Sequence, residues 1–318
     1  MTMPLVKKEE EQLNVESLTW GDLTWVNIEQ PTEREIAYLA QNYPFHPLDL
    51  DDCLSRKQRP KIDEYEDYLF FVFHFPVYNK ATRVSTPSQL SVFISEKYLI
   101  TLHTGEFKTL VKLFRDCQIN EEARQENFSQ GSGYLLYHIL DRAVDSYFPV
   151  LDKILSLMED VEDSVFDEYV EAAQELAILR RDIITQRRII FPMRTVIAEL
   201  ESKLERFTKT DMSAYFGDLM DHMNKICETL DECKEVIEVY KDSDYVLSTE
   251  HLNRVIRILT ILSTIILPFV VIPSIYGMNV ALPGGLERGS LQTLLLLLVI
   301  SSLITGGMLY FFHRKRWI

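Results

Sequence analysis

Cysteine is sparse in this sequence, and the four present, Cys53, Cys117, Cys227 and Cys233, are scattered without a Cys-x-x-Cys pair. That spacing supports neither a zinc cluster nor a disulfide framework, and reduced thiols are the plain reading. Catalytic signatures are missing as well. No glycine-rich phosphate loop, nucleophile elbow or metal-hydrolase motif is present, so an enzyme is the least supported class. Positive charge is in deficit: lysine and arginine number 33 against 48 aspartates and glutamates, a formal net charge of -15. That balance removes the basic footprint that nucleic-acid phosphates require. It suits a surface that concentrates cations, although solubility alone explains many acidic surfaces. Residues 1–12 are polar and acidic, unlike a signal peptide.

What the chain does have is concentrated at its C-terminal end. Residues 258–276 and 291–312 carry no charged side chain. As helices rising 1.5 Å per residue, the second would span roughly 33 Å, which matches a bilayer core of ~30 Å. Both are therefore read as membrane spans in a lipid bilayer. Arg254 and Arg257 precede the first and Arg314, Lys315 and Arg316 follow the second, whereas the loop between them holds only Glu287 and Arg288. The excess of basic residues predicts both termini in the cytoplasm of a cell (inner or plasma) membrane, with the short loop outside.

The first span has a polar face. Thr260, Ser263, Thr264 and Ser274 fall within an arc of roughly 100° on a helical wheel, with Asn253 on the same side. Asn253, Thr260, Leu267 and Ser274 recur every seven residues, as in a packed seam. Such a stripe either lines a pore or joins helices through small polar residues, and the pattern alone leaves both open. The second span is leucine-rich on all sides. Pro268 and Pro273 are tolerated in a span whose neighbours cover the freed carbonyls.

The preceding residues read as mixed α/β and then as helix. Strands are expected over 67–77, 89–94 and 98–102, and short helices over 32–41 and 46–54, the latter crowded by Asp49, Asp51 and Asp52. Three apolar seams follow at helical spacing. The first runs from Tyr147 to Val165, the second from Leu176 to Leu204 through Pro192, and the third from Leu219 to Tyr240. A break is expected over 211–217, with a last long helix beginning near Tyr215 and, after Gly217, meeting no glycine or proline until Pro268. One helix running from the cytoplasm into the membrane would carry a cytoplasmic event to a pore. The acidic segment 152–168 reads as a solvated helix face.

Tyr276-Gly277-Met278-Asn279 closes the first span, at the outer end of the first of two C-terminal helices. In that position the sequence closely resembles the CorA family of divalent-cation channels, whose signature is Gly-Met-Asn; a plain helix C-cap at Gly277 and Asn279 is the competing reading. The resemblance extends over 253–279, over Arg59-Pro60-Lys61 and 67–72, over 188–194 and over the basic-aromatic tail 313–317.

That resemblance implies a funnel-shaped homopentamer with an α/β cytoplasmic domain (1–130), antiparallel long helices (131–210) and a stalk helix continuing into the first span (211–276). An outer loop (277–290), the second span (291–312) and a basic tail (313–318) would complete it. It implies a filter of Tyr276, Gly277, Met278 and Asn279, with Asn279 forming a ring at the outer mouth. It also implies a pore lined by Asn253, Ile256, Leu259, Thr260, Ser263, Leu267, Val270 and Ser274, constricted at Leu259 and Leu267. Magnesium would be both the transported ion and the regulator, held between neighbouring subunits by Asp52, with Asp51 beside it, and by Asp218, with Asp221 and His222 adjacent. The outer loop departs from the family's magnesium importers, which commonly carry Met-Pro-Glu-Leu there. It reads Ala281-Leu282-Pro283-Gly284-Gly285, with Glu287 displaced, which is more like the zinc-transporting branch, although Met278 is that of the magnesium pattern. The expected function is magnesium influx gated by cytosolic magnesium. The alternatives are zinc, cobalt or nickel transport on the same architecture and, more remotely, a non-conducting membrane-tethered scaffold.

Overall fold

The computed structural model describes residues 13–55, 58–166, 172–278, 291–315 and 317. The chain divides into two units, Met1–Lys241 and Asp242–Ile318.

The first unit is built on a six-stranded mixed sheet. Its strands are β1 (Val15–Trp20), β2 (Leu23–Glu29), β3 (Lys61–Glu64), β4 (Leu69–Asn79), β5 (Val84–Ile94) and β6 (Tyr98–His103), in the order β1-β2-β6-β5-β4-β3. Only β2 and β6 pair in parallel. The run Leu69 to Phe75 is apolar at every position except His74 because both faces of the sheet are covered. Leu69, Phe71, Phe73 and Phe75 pack into a core shared with the long helices. Phe70 and Val72, with Phe93 of β5, pack beneath α1 (Glu33–Asn42) and α2 (Pro47–Leu54). Thr32 caps α1 in a capping box with Glu35, and His46 Nδ1 caps α2 by accepting from the Leu48 amide.

On the other face lie α3 (Lys108–Ile119), α4 (Glu121–Phe128), α5 (Ser132–Asp145), α6 (Phe148–Phe166) and α7 (Ala173–Leu204). Gly131 precedes α5 at φ +99°, and a Cβ there would lie 2.7 Å from the Phe207 carbonyl oxygen, so this junction requires glycine. The three seams of the sequence are buried along α6, α7 and α8 (Ser213–Gly277). The expected break over 211–217 is shorter than that. Asp211 Oδ1 accepts from the Ser213 amide at 2.9 Å and from its hydroxyl at 2.7 Å, so α8 starts at Ser213 and absorbs Gly217. Strands β1, β2 and β3 and helices α3 and α4 were not among the expected elements.

Helix α7 is fixed to the sheet by a buried polar chain. The Ser85 amide of β5 donates to Asp182 Oδ1 at 2.5 Å, Gln186 Nε2 donates to Asp182 Oδ2 at 2.8 Å, and the Tyr147 hydroxyl donates to Gln186 Oε1. The second unit holds the remainder of α8 and α9 (Leu291–Arg314). Among the described residues these two helices are long and apolar enough to cross a membrane.

Replacing Asp182 by Ala strands a buried amide and the Gln186 side chain, and should cost about 2 kcal/mol of stability. Thermal unfolding of the full chain, followed by helical circular dichroism, should show a lower midpoint, and an unchanged midpoint would assign the chain no structural weight.

Candidate metal sites and the polar face of α8

Two groups of side chains among the described residues are spaced to hold a cation: Asp141, Asp218 and His222, and separately Asp49, Asp52 and Asp63. In each group the ligand atoms lie within 4.8 Å of one another.

The first group forms where α5 meets the start of α8. Tyr137 of α5 packs edge-on against Tyr215 and Phe216, at 5.3 and 5.9 Å between ring centres. One helical turn beyond Tyr137 stands Asp141, and Asp218 and His222 are themselves one turn apart on α8. The aromatic contact thus sets the carboxylates opposite each other. The His222 ring also packs edge-on against Phe148 at 5.3 Å, and its Nδ1 lies 3.1 Å from Asp145 Oδ1. Burial, reinforced by the neighbouring Asp145 and Asp218 carboxylates, pushes the Asp141 carboxyl above the usual aspartate range. A divalent cation here would relieve that repulsion. Asp221, expected to belong to this group, is exposed and lies outside it, while Asp141 was not anticipated.

The second group lies where α2 passes β3. Asp49, 1% exposed, accepts from the Tyr68 hydroxyl at 3.0 Å and the Tyr65 hydroxyl at 3.2 Å, and burial raises its pKa. Asp52 already has partners: Lys61 Nζ sits 2.7 Å from its Oδ2, and Gln58 Nε2 donates to its Oδ1 at 2.5 Å. The same ammonium also pairs with Asp63. Asp51 is exposed. Asp52 and Asp218, expected to share an ion, fall in different groups within one chain.

In the second unit, Asn253, Ile256, Leu259, Thr260, Ser263, Leu267, Val270 and Ser274 are all exposed. Residues 245–260 of α8 are exposed on every side, and the covered positions within 261–277 are Pro268, which is buried, and Ile261, Thr264, Ile265, Ile272 and Tyr276, which are half-buried. Their centre lies roughly 130° round the helix from the exposed stripe, with Thr264 at the boundary. On α9 the buried residues are Leu297, Ser301, Thr305 and Phe312, and the Ser301 hydroxyl donates to the Pro268 carbonyl at 3.4 Å. Small hydroxylated residues at four-residue spacing thus let α9 approach α8 on one side. The Thr260 and Thr264 hydroxyls donate to the carbonyls of Ile256 and Thr260, at 2.7 and 2.6 Å, so they are satisfied within the helix. Gly277 ends α8 and Met278 is exposed, while Asn279 and the loop 279–290 lie outside the described residues.

Because a proton competes for the raised Asp141 carboxyl at higher pH than for an ordinary aspartate, cation binding to the first group should weaken as pH falls toward that pKa. With Mn2+ as the probe, read by electron paramagnetic resonance, Asp141→Asn should lower affinity roughly tenfold, ~1.4 kcal/mol, and flatten the pH dependence. Equal affinity and equal pH dependence in wild type and variant would exclude Asp141 as a ligand.

The CorA-like Mg2+ transporter protein family matches residues 20–314. A Bacillus subtilis protein provisionally named the metal ion transporter YfjQ is 31% identical over 293 residues, 91% of this chain and 88% of that one. The cobalt/magnesium transport protein CorA of Thermotoga maritima is 26% identical over 93% of this chain and 83% of its own length. The zinc transport protein ZntB of Pectobacterium carotovorum is 23% identical over 82% and 77%, respectively. In fold, the chain is similar to the complete structure of the CorA magnesium transporter from Methanocaldococcus jannaschii, with a TM-score of 0.77, 23% identity, and coverage of 95% of this chain and 94% of that one. A match across nearly the whole sequence, together with two membrane-competent helices after an α/β body, places the chain in the CorA-like family of divalent metal ion transporters, which is a transporter family and not an enzyme family.

Proposed function

We propose that this chain is a magnesium channel in which five copies surround a pore lined by α8, and that cytosolic magnesium closes it. The observation that carries this reading is the exposed polar positions of α8 away from the α9-covered face, followed in the sequence by Tyr276-Gly277-Met278-Asn279. Lipid would meet the apolar side chains of that face, but its polar positions favour further helices, and copies of the same helix supply them by symmetry. Asn253, Thr260, Ser263 and Ser274 then offer neutral oxygens to a hydrated ion, and Leu259 and Leu267 supply an apolar constriction that closes by dewetting. Magnesium sheds its water reluctantly, so an amide ring at Asn279 that hydrogen-bonds the hydrated ion suits it better than a cage of direct ligands. The basic flanks of the two spans favour both ends in the cytoplasm.

Closure would use the acidic groups. Asp52 and Asp218 stand in separate clusters of one chain, so an ion uniting them would have to bridge two subunits, with His222 beside Asp218 and with Asp51 and Asp221 at the margins. Asp141 joins Asp218 and His222 in this reading. A zinc transporter of the same fold is the second reading, favoured by the Pro283-Gly284-Gly285 loop and by the likeness to ZntB.

Uptake into proteoliposomes across magnesium, zinc, cobalt and nickel, with a proton-sensitive dye inside, separates the two. Magnesium flux without proton movement supports the channel, and zinc flux coupled to protons replaces it. Asn279→Ala should abolish selective magnesium flux while assembly persists, and wild-type flux with unchanged ion preference would remove Asn279 from the filter. Leu267→Asn should wet the constriction and raise resting flux roughly tenfold, about 1.4 kcal/mol off the barrier. A variant as tightly closed as wild type in high magnesium would place the gate elsewhere.

A further inference from the structure

We propose that Lys61 is a tethered competitor for the cation at Asp52, setting the concentration at which a divalent ion binds there and excluding monovalent ions. The inference rests on the reading of Asp52 as a regulatory ligand. Its own observation is that the carboxylate is not vacant. Lys61 Nζ lies 2.7 Å from Asp52 Oδ2, Gln58 Nε2 takes Oδ1, and the ammonium is shared with Asp63. It also sits 5.4 Å from the centre of the Phe70 ring. An ion arriving from solution therefore exchanges with a resident cation instead of filling an empty site.

The geometry makes that exchange both effective and reversible. Lys61 opens β3, where it pairs with Val72 of β4, so its backbone is anchored and the ammonium stays within reach of Asp52. Tethering gives the ammonium a high effective concentration that no free monovalent ion of equal charge matches. A divalent ion has twice the charge and can win. The Lys61 side chain is 32% exposed, so it has a route to water when displaced, and Asp63 remains as its second partner. A lysine ammonium is protonated at physiological pH, and here it lies between two carboxylates, so the competitor stays charged. In a cytosol rich in monovalent cations, this arrangement would let Asp52 respond to the divalent ion alone.

Limited proteolysis of the full chain, titrated with magnesium chloride or with potassium chloride, tests the proposal. Lys61→Met should lower the half-protecting magnesium concentration roughly fivefold or more, the lower end of ordinary site-to-site coupling, and should let potassium protect where it does not protect the wild type. Lys61→Arg should behave as wild type. Lys61→Gln, which keeps a polar side chain without the charge, should lower the half-protecting concentration likewise. An unchanged or raised value in a folded Lys61→Met protein overturns the proposal. If that variant does not fold, an unchanged or raised value in Lys61→Gln overturns it. Asp52→Asn separates the two levels: a shifted magnesium response there with none in the lysine variants defeats only the competitor. An unshifted response removes Asp52 from regulation and the competitor with it.

Discussion

Crowded carboxylates must be compensated, and each crowded aspartate in this chain is satisfied differently. With 48 acidic against 33 basic side chains, lysine and arginine cannot neutralise them all. Asp182 is buried and takes its donors from a β5 amide and from Gln186, which turns its charge into an attachment between α7 and the sheet. Asp49 is buried against two tyrosine hydroxyls and is pushed toward its neutral form. Asp52 and Asp63 share one lysine. The Asp141, Asp218 and His222 group differs in having no lysine or arginine ion pair among the described contacts. A cation-transporting family has an evident use for such a group, because compensation by a soluble ion depends on that ion's concentration, whereas compensation by a side chain does not.

The same accounting applies in the apolar unit, where the unmet groups are backbone and hydroxyl instead of carboxylate. In lipid every polar group needs a partner within the protein. Pro268 lacks an amide proton, and its own carbonyl receives the Ser301 hydroxyl of α9. Thr260 and Thr264 return their hydroxyls to the helix. The Pro268 carbonyl and the Thr260 and Thr264 hydroxyls are thus satisfied within the protein, whereas the buried Thr305 hydroxyl finds no hydrogen-bond partner among the described residues.

Much of this was legible in the sequence, and the failures have physical causes. The seams along α6, α7 and α8 were readable because each helix buries one face continuously, which writes a period of 3.6 into the chain. Both spans were readable because charge vanishes over a bilayer's length. Strand β1 was missed because it is a sheet edge with mostly exposed side chains, and β3 because it is only four residues long. The start of β5, Val84 to Ser88, reads as a polar turn with a proline, yet it is held extended by pairing with the far end of β4. Asp141 was missed for a different reason. An acid on a helix face looks like any other until the Tyr137 contacts bring α8 against it, and no local pattern records that meeting. In the sequence Lys61 stands out only through the family resemblance of Arg59-Pro60-Lys61, since its pairing with Asp52 depends on α2 and β3 meeting after the chain turns.

Helix α8 carries Asp218 and His222 near one end and the exposed stripe near the other. Between Gly217 and Pro268 the sequence offers neither glycine nor proline, so no residue in that stretch supplies an intrinsic hinge. On the proposed reading, a cation bound near Asp218 would act on Leu259 and Leu267 by favouring one arrangement of the helix's copies, since local unwinding has no sequence support. It can do so only to the extent that it binds one arrangement more tightly than the other. On the proposed reading, residues that compete for the cation would tune the response as directly as the ligands do, so an ammonium beside the carboxylates would set a threshold without belonging to the pore-lining positions.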